Sequence, residues 1–146
     1  MITISSMTID HVNEVCAIEQ RVFSTPWSPA DILYEEANPD SRCFVALDVN
    51  NRVAGYATMR HIIDEGHINN IAVDKPYQQC GIGSLLVEAL IKSAQNYEMI
   101  GLTLEVRASN QAAIALYHKH GFKTEGYRKN FYSNPKEDAL IMWKYL

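Results

Sequence analysis

The sequence predicts an α/β fold on a mixed sheet, with a parallel strand–helix–strand pair in its second half. Three observations predict it. Residues 43 to 73 hold strand-like segments separated only by turns. Two segments of helical periodicity, Ile82 to about Tyr97 and Asn110 to His120, each stand between apolar, strand-like runs. That alternation implies a parallel pair within a mixed sheet, with right-handed crossovers. A loop with two glycines, Gly81 and Gly83, leads from one of those strands into the longest helix.

Taken in order, Ile2 and Ile4 alternate with polar residues and predict a short strand. Thr8 is placed to cap a helix running to about Phe23, with Val12, Val15, Ile18 and Val22 on its buried stripe. Ser28-Pro29 starts a second helix, which runs to about Ala37 and stops at Asn38-Pro39-Asp40. Cys43 to Leu47 and Val53 to Met59 predict a hairpin around residues 49–52, and Glu65 to Val73 a further strand. The long helix carries Ile82, Leu85, Leu86, Ala89 and Leu90 at helical spacing. Leu102 to Arg107 is a strand, and Gly121 stops the last helix, whose final turn carries His118, Lys119 and His120. Phe122 to Tyr127 and Asp138 to Tyr145 close the sheet.

A chain of 146 residues fits one domain, 1–146. It is long enough to bury about two thirds of its unfolded surface without disulfides. The three cysteines, Cys16, Cys43 and Cys80, are odd in number and form no C-x-x-C pair, which suits a reducing compartment. No basic segment leads into an apolar core near Met1, and no apolar run reaches the ~20 residues of a membrane span. A cytoplasmic location without a membrane partner is therefore expected. A net charge of −4 speaks against a nucleic-acid partner. The basic and aromatic run Tyr127 to Tyr132 is too short to reverse that. His118 and His120 face different ways on a helix, and His11, His61 and His67 have no ligand spacing, so no metal is expected. Asp31, Glu35, Glu36 and Asp40 form either a solvated helix face or a surface for basic peptide residues.

The most informative segment is Ile71 to Ser84, an apolar strand, a loop and a helix start. The first N–H groups of a helix have no internal partners and, with the helix dipole, attract anions. Gly81 and Gly83 allow close approach to that backbone, or simply a tight turn. The string is neither a Walker loop nor a dinucleotide fingerprint, since Leu86 stands where the third glycine belongs. Gln78-x-x-Gly81-x-Gly83 after Asn70-Ile71-Ala72-Val73 resembles the coenzyme A signature of the GNAT acetyltransferases. Pro26-Trp27-Ser28, Leu104 to Asn110, Ala115-Leu116-Tyr117, Gly121-Phe122 and Glu137-Asp138-Ala139 are similar to the RimI group of that family. Those are bacterial enzymes that acetylate the N-terminal alanine of a small-subunit ribosomal protein.

The resemblance implies a mostly antiparallel central sheet, with its parallel pair at the acetyl-CoA site and helices on both faces. It implies that Ile71, Ala72 and Val73 present backbone to the acetyl and pantetheine arm. Gln79, Cys80, Gly81, Ile82, Gly83 and Ser84 would hold the pyrophosphate, with Asn110 touching the cofactor from the next helix. Gln79 replaces an arginine common in the family and Cys80 a glutamine, which removes a charge near the phosphates. The implied acceptor is the N-terminal peptide of the ribosomal protein, walled by Trp27 and by Tyr127 to Tyr132 in the loop between the last two strands.

Acyl transfer to an amine needs a base, an oxyanion donor and an acid for the departing thiolate. Glu105 shares a strand face with Thr103 and Arg107 where apolar residues are expected, which marks either a cleft or an ion pair with an arginine. The family's pattern makes Glu105 the base and Tyr117, otherwise a core tyrosine at the edge of a buried stripe, the acid. It makes the Val73 N–H the oxyanion donor.

Overall fold

The computed structural model describes residues 1–146. Its strands are β1 (Thr3–Ser6), β2 (Ser41–Leu47), β3 (Val53–Ile62), β4 (Glu65–Val73), β5 (Gly101–Arg107), β6 (Lys123–Ser133) and β7 (Lys136–Tyr145). Its helices are α1 (Val12–Val22), α2 (Pro29–Ala37), α3 (Ile82–Asn96) and α4 (Gln111–Lys119). The strands form one sheet in the order β1-β2-β3-β4-β5-β7-β6. Every neighbouring pair is antiparallel except β4 and β5, which are parallel. The α/β class, the mixed and mostly antiparallel sheet and the parallel pair are as the sequence predicts.

Strand alternation divides the core in two. Val45, Val53, Tyr56 and Ala72 point to the side of α1 and α2, with Val12, Val15, Ile18 and Ile32. Ala46, Ala57, Leu102, Leu104 and Val106 point to the side of α3 and α4, with Ile82, Leu86, Leu90 and Tyr117. Full burial of a leucine or isoleucine is worth about 1.5–3 kcal/mol, so these two layers carry most of the fold.

Five local expectations change. Thr8 precedes a short 3-10 turn, Ile9–His11, and α1 begins only at Val12. The His11 ring accepts the Thr8 N–H at 2.9 Å, the reciprocal half of a capping box at Thr8. The α3 stripe is Ile82, Leu86, Val87 and Leu90, whereas Leu85 lies on the flank, 37% exposed. β3 continues three residues past Met59, because its hairpin partner β4 extends to meet it at Ile62↔Glu65. β6 runs on to Ser133, so Tyr127 to Tyr132 belong to an edge strand and not to a loop. Edge position explains this: one side of β6 needs only water, and irregular register from Arg128 to Tyr132 absorbs Asn130 at φ +54°. Finally, Glu35 is 3% exposed and binds Arg60 and Ser41, so it belongs to the packing of α2 and not to an acidic surface.

Candidate active site

β4 and β5 pair only at Glu65↔Gly101, Gly66↔Leu102 and His67↔Thr103. Beyond that point they splay. The register of β3 against β4 jumps from Met59↔Ile68 to Thr58↔Asn70, which leaves Asn69 as a bulge residue. A bulge bends its strand, and here it turns the second half of β4 away from β5. In that half, the Asp74 N–H donates to the Ala54 carbonyl at 2.8 Å. Antiparallel alternation then aims the N–H groups of Val73 and Ile71 the other way, into the gap. The sequence-predicted stretch Ile71-Ala72-Val73 thus lines a wedge with unpaired backbone donors.

The loop at the end of β4 is pinned at its base. Asp74 accepts two hydrogen bonds from Arg21, at 3.0 and 2.8 Å. Those bonds, followed by the Lys75 N–H, hold the Asp74 carboxyl below the ordinary aspartate range. The Tyr77 hydroxyl donates to Asp48 at 2.7 Å, and the Gln78 amide to the Val73 carbonyl at 3.0 Å. Above this base the crest Gln79, Cys80 and Gly81 is exposed, with Gln79 at φ +63° and Gly81 at φ +80°. Consecutive turns of this kind gather N–H groups at the start of α3, the geometry of an anion nest. Gly81 serves the loop conformation. Gly83 serves packing, since a Cβ there would meet the Leu116 side chain of α4 at 3.1 Å.

Two basic residues stand at this helix start although the sequence gives no sign of it. Lys119 Nζ lies 3.4 Å and His120 Nε2 3.1 Å from the Ser84 hydroxyl in the first turn of α3. Lys119 brings a positive charge to the neighbourhood where Gln79 lacks it, and His120 a ring nitrogen. Asn110 caps α4, its Oδ1 accepting the Ala113 N–H at 3.2 Å. Replacing Gly81 by valine forces a β-branched residue to φ +80°, a cost of about 1–3 kcal/mol. The expected outcome is a weaker complex with acetyl-CoA by calorimetry, with no steric clash to blame, since nothing lies within 4 Å of that Cβ.

Glu105 and Tyr117 lie on opposite sides of the sheet, and the wedge between β4 and β5 is what opens each side to the other. Leu104 and Val106 face α3, so Glu105 faces the side of α1. β5 lies between β4 and β7, so Glu105 is not at a sheet edge. Its carboxylate is 31% exposed and meets only Arg128 Nε, at 3.8 Å. Tyr117 is the one buried residue of α4, at 7% exposure, with its ring 5.6 Å from that of Phe122. It sits inside the buried stripe and not at its edge. Burial, and to a smaller degree Tyr132, pushes its phenol above the ordinary tyrosine value, and no group of the chain accepts its proton.

Tyr132 links the two sides. Burial and then the Glu105 carboxylate push its own phenol up. Arg107 stacks on its ring at 4.3 Å and holds the β6–β7 turn through the carbonyls of Pro135 and Asn134, at 2.8 and 3.1 Å. Ser24, in the α1–α2 loop, donates to that same Asn134 carbonyl at 2.7 Å. The α1–α2 loop, which contains half-buried Trp27, therefore meets the β6–β7 turn on the Glu105 side of the sheet. The expected aromatic wall reduces to Tyr132, since Tyr127 is 71% exposed.

The sequence profile of the acetyltransferase (GNAT) family matches residues 12–122. The [ribosomal protein bS18]-alanine N-acetyltransferase of Escherichia coli K12 is 39% identical over 145 residues, covering 97% of this chain and 96% of its own. The crystal structure of the ribosomal-protein-S18-alanine N-acetyltransferase from Escherichia coli superposes with a TM-score of 0.92 at 37% identity, over 99% of this chain and 94% of that one. Arabidopsis thaliana NAA60, crystallised in complex with acetyl-CoA, shares the fold with a TM-score of 0.90 at 17% identity, over 100% of this chain and 99% of that one. The splayed parallel pair, the glycine loop at the start of α3 and these likenesses together place the chain in the GNAT acetyltransferase family.

Proposed function

We propose that residues 1–146 act as one N-acetyltransferase domain, which moves an acetyl group from acetyl-CoA to the N-terminal alanine of a small-subunit ribosomal protein. The observation that carries this reading is the wedge, with a carboxylate on one side and a buried phenol on the other. The residues fit the co-substrate: the nest from Gln79 to Ser84 receives the pyrophosphate, and Asn110 offers its free amide NH2. Backbone N–H groups of Ile71 and Val73 meet the pantetheine arm and the thioester oxygen.

Chemistry follows from that placement. Glu105, directly or through a water, takes a proton from the acceptor ammonium or from the attacking amine. The amine nitrogen bonds to the thioester carbon, and the Val73 N–H receives the charge that develops on oxygen. As the C–S bond breaks, Tyr117 gives its proton to the sulfur, which leaves as the thiol of coenzyme A. The raised phenol suits an acid that must be protonated at neutral pH.

Two features support an α-amine over a lysine. An α-amine has a pKa of about 8 against about 10.4 for lysine, so its neutral form is several hundred times more abundant. One third-exposed glutamate is base enough for the former. The bond between Ser24 and Asn134 also ties the α1–α2 loop to the β6–β7 turn on the Glu105 side, which favours a chain end over a side chain in mid-peptide. The substrate named for the Escherichia coli relative points to the same acceptor. The competing reading is a GNAT enzyme for another protein N-terminus, a lysine or a small amine. A competition decides it: one peptide with a free alanine terminus and a masked lysine, its twin with the terminus masked and the lysine free. The first is expected to be acetylated faster, followed by mass; faster acetylation of the second overturns the assignment.

A further inference from the structure

Glu19 is a buried carboxylate that none of the steps above uses. It lies one turn after Val15 on the inner side of α1 and is 1% exposed. No lysine, arginine or histidine pairs with it. Its Oε1 accepts the Tyr56 hydroxyl of β3 and the Asn70 amide of β4, the latter at 2.9 Å. Its Oε2 accepts the backbone N–H of Trp27 at 2.8 Å. Three donors from three separate segments thus converge on two oxygens.

A carboxylate withdrawn from water without a cation is costly unless hydrogen bonds replace its hydration. A helix that needed only to pack would carry an aliphatic residue here, as it does at Val12, Val15 and Ile18. What Glu19 joins is specific. Asn70 follows the bulge of β4 and directly precedes the donors that line the wedge. Trp27 ends the α1–α2 loop, whose Ser24 reaches the β6–β7 turn. No other side chain binds both the acyl-presenting strand and the acceptor-side loop.

We infer that Glu19 is a positioning residue, which holds the α1–α2 loop at a fixed distance from the thioester site and so sets the fit of the acceptor peptide. This rests on the acceptor groove of the proposed function. Burial first, and then the Glu19 carboxylate, pushes the Tyr56 phenol up, so the proton in that bond stays on the tyrosine. Tyr56 is therefore a donor to Glu19, and removing it leaves the Trp27 bond in place.

That asymmetry gives the test. Glu19→Gln keeps the shape but offers one acceptor oxygen to three donors and turns an NH2 toward one of them. The KM for an alanine-terminated peptide is expected to rise about tenfold or more, since an unpaired buried donor costs about that factor. The KM for acetyl-CoA and kcat should stay within about twofold, because the wedge keeps its lining. Tyr56→Phe should lower the melting temperature and leave the peptide KM unchanged. A purely structural Glu19 would lower the melting temperature in both variants and move the peptide KM in neither, which overturns the inference. Hydrogen exchange on the unmodified enzyme supplies an arm independent of folding and of turnover. The Trp27 amide should be protected about a thousandfold or more without any peptide present; fast exchange there overturns the inference whatever the variants do. Wild-type enzyme that acetylates no α-amine while its Trp27 amide is protected would refute the acceptor assignment and leave the pinned loop standing.

Discussion

Tyr117→Phe is expected to lower kcat by about 100-fold or more while acetyl-CoA binds as before. The ring stays packed on Phe122, and no partner within the chain loses a hydrogen bond, so the fold should be untouched. Only the step in which sulfur leaves loses an interaction. The pH dependence carries the sign of the shift. Because burial raises the phenol, its proton is held below and through the ordinary tyrosine range, and is lost only above it. The wild-type rate should therefore show no fall from pH 7 to 9 on account of Tyr117, and the deficit of the variant should be the same across that range. Release of free thiol, measured against pH under single-turnover conditions, checks both statements. A variant that turns over like wild type removes Tyr117 from the chemistry.

Glu105→Gln should also cost about 100-fold at pH 7, for a different reason. Without a base, only acceptor that is already neutral can attack. Between pH 7 and 9 the neutral fraction of an amine with a pKa of about 8 grows about tenfold, so much of the deficit should be recovered there. The rival role for Glu105 is a bare ion pair with Arg128. That pair is 3.8 Å long and its arginine 57% exposed, a kind that contributes about 0–1 kcal/mol. If it were the whole role, Arg128→Gln would match Glu105→Gln in rate and neither would respond to pH. A large, pH-dependent loss confined to Glu105→Gln is the expected result, read from initial rates with an alanine-terminated peptide.

Much of this site is legible in the residues themselves. The Ser28-Pro29 start of α2 appears as a reciprocal cap, Ser28 and Asp31 each accepting the other's N–H at 3.1 Å. The strand, loop and helix around Gly81 and Gly83 are where periodicity places them, because such signals are written in neighbours. The identity of Glu105 as out of place is likewise local: one carboxylate among leucines and valines of β5. Its alternatives are not local, and the structure holds elements of both, a cleft face and a long pair to Arg128.

The chain alone determined the order of elements and the glycine loop, since these follow from spacing within a few residues, while its resemblance to the family singled out Glu105 and Tyr117. Tertiary structure alone decided that β4 and β5 part after His67, that Glu105 and Tyr117 lie on opposite sides of the parting, that Tyr132 alone of the run Tyr127 to Tyr132 turns inward between them, and that Lys119 and His120 join the site. It also decided that Glu19, which in sequence resembles any glutamate on a helix, is the meeting point of Tyr56, Asn70 and Trp27. Each of these depends on register and on contacts across long stretches of chain, such as the separation of 51 positions between Glu19 and Asn70. Side-chain periodicity tells which face a residue takes, but only the pairing of strands, shifted here by one bulge at Asn69, tells what that face will meet.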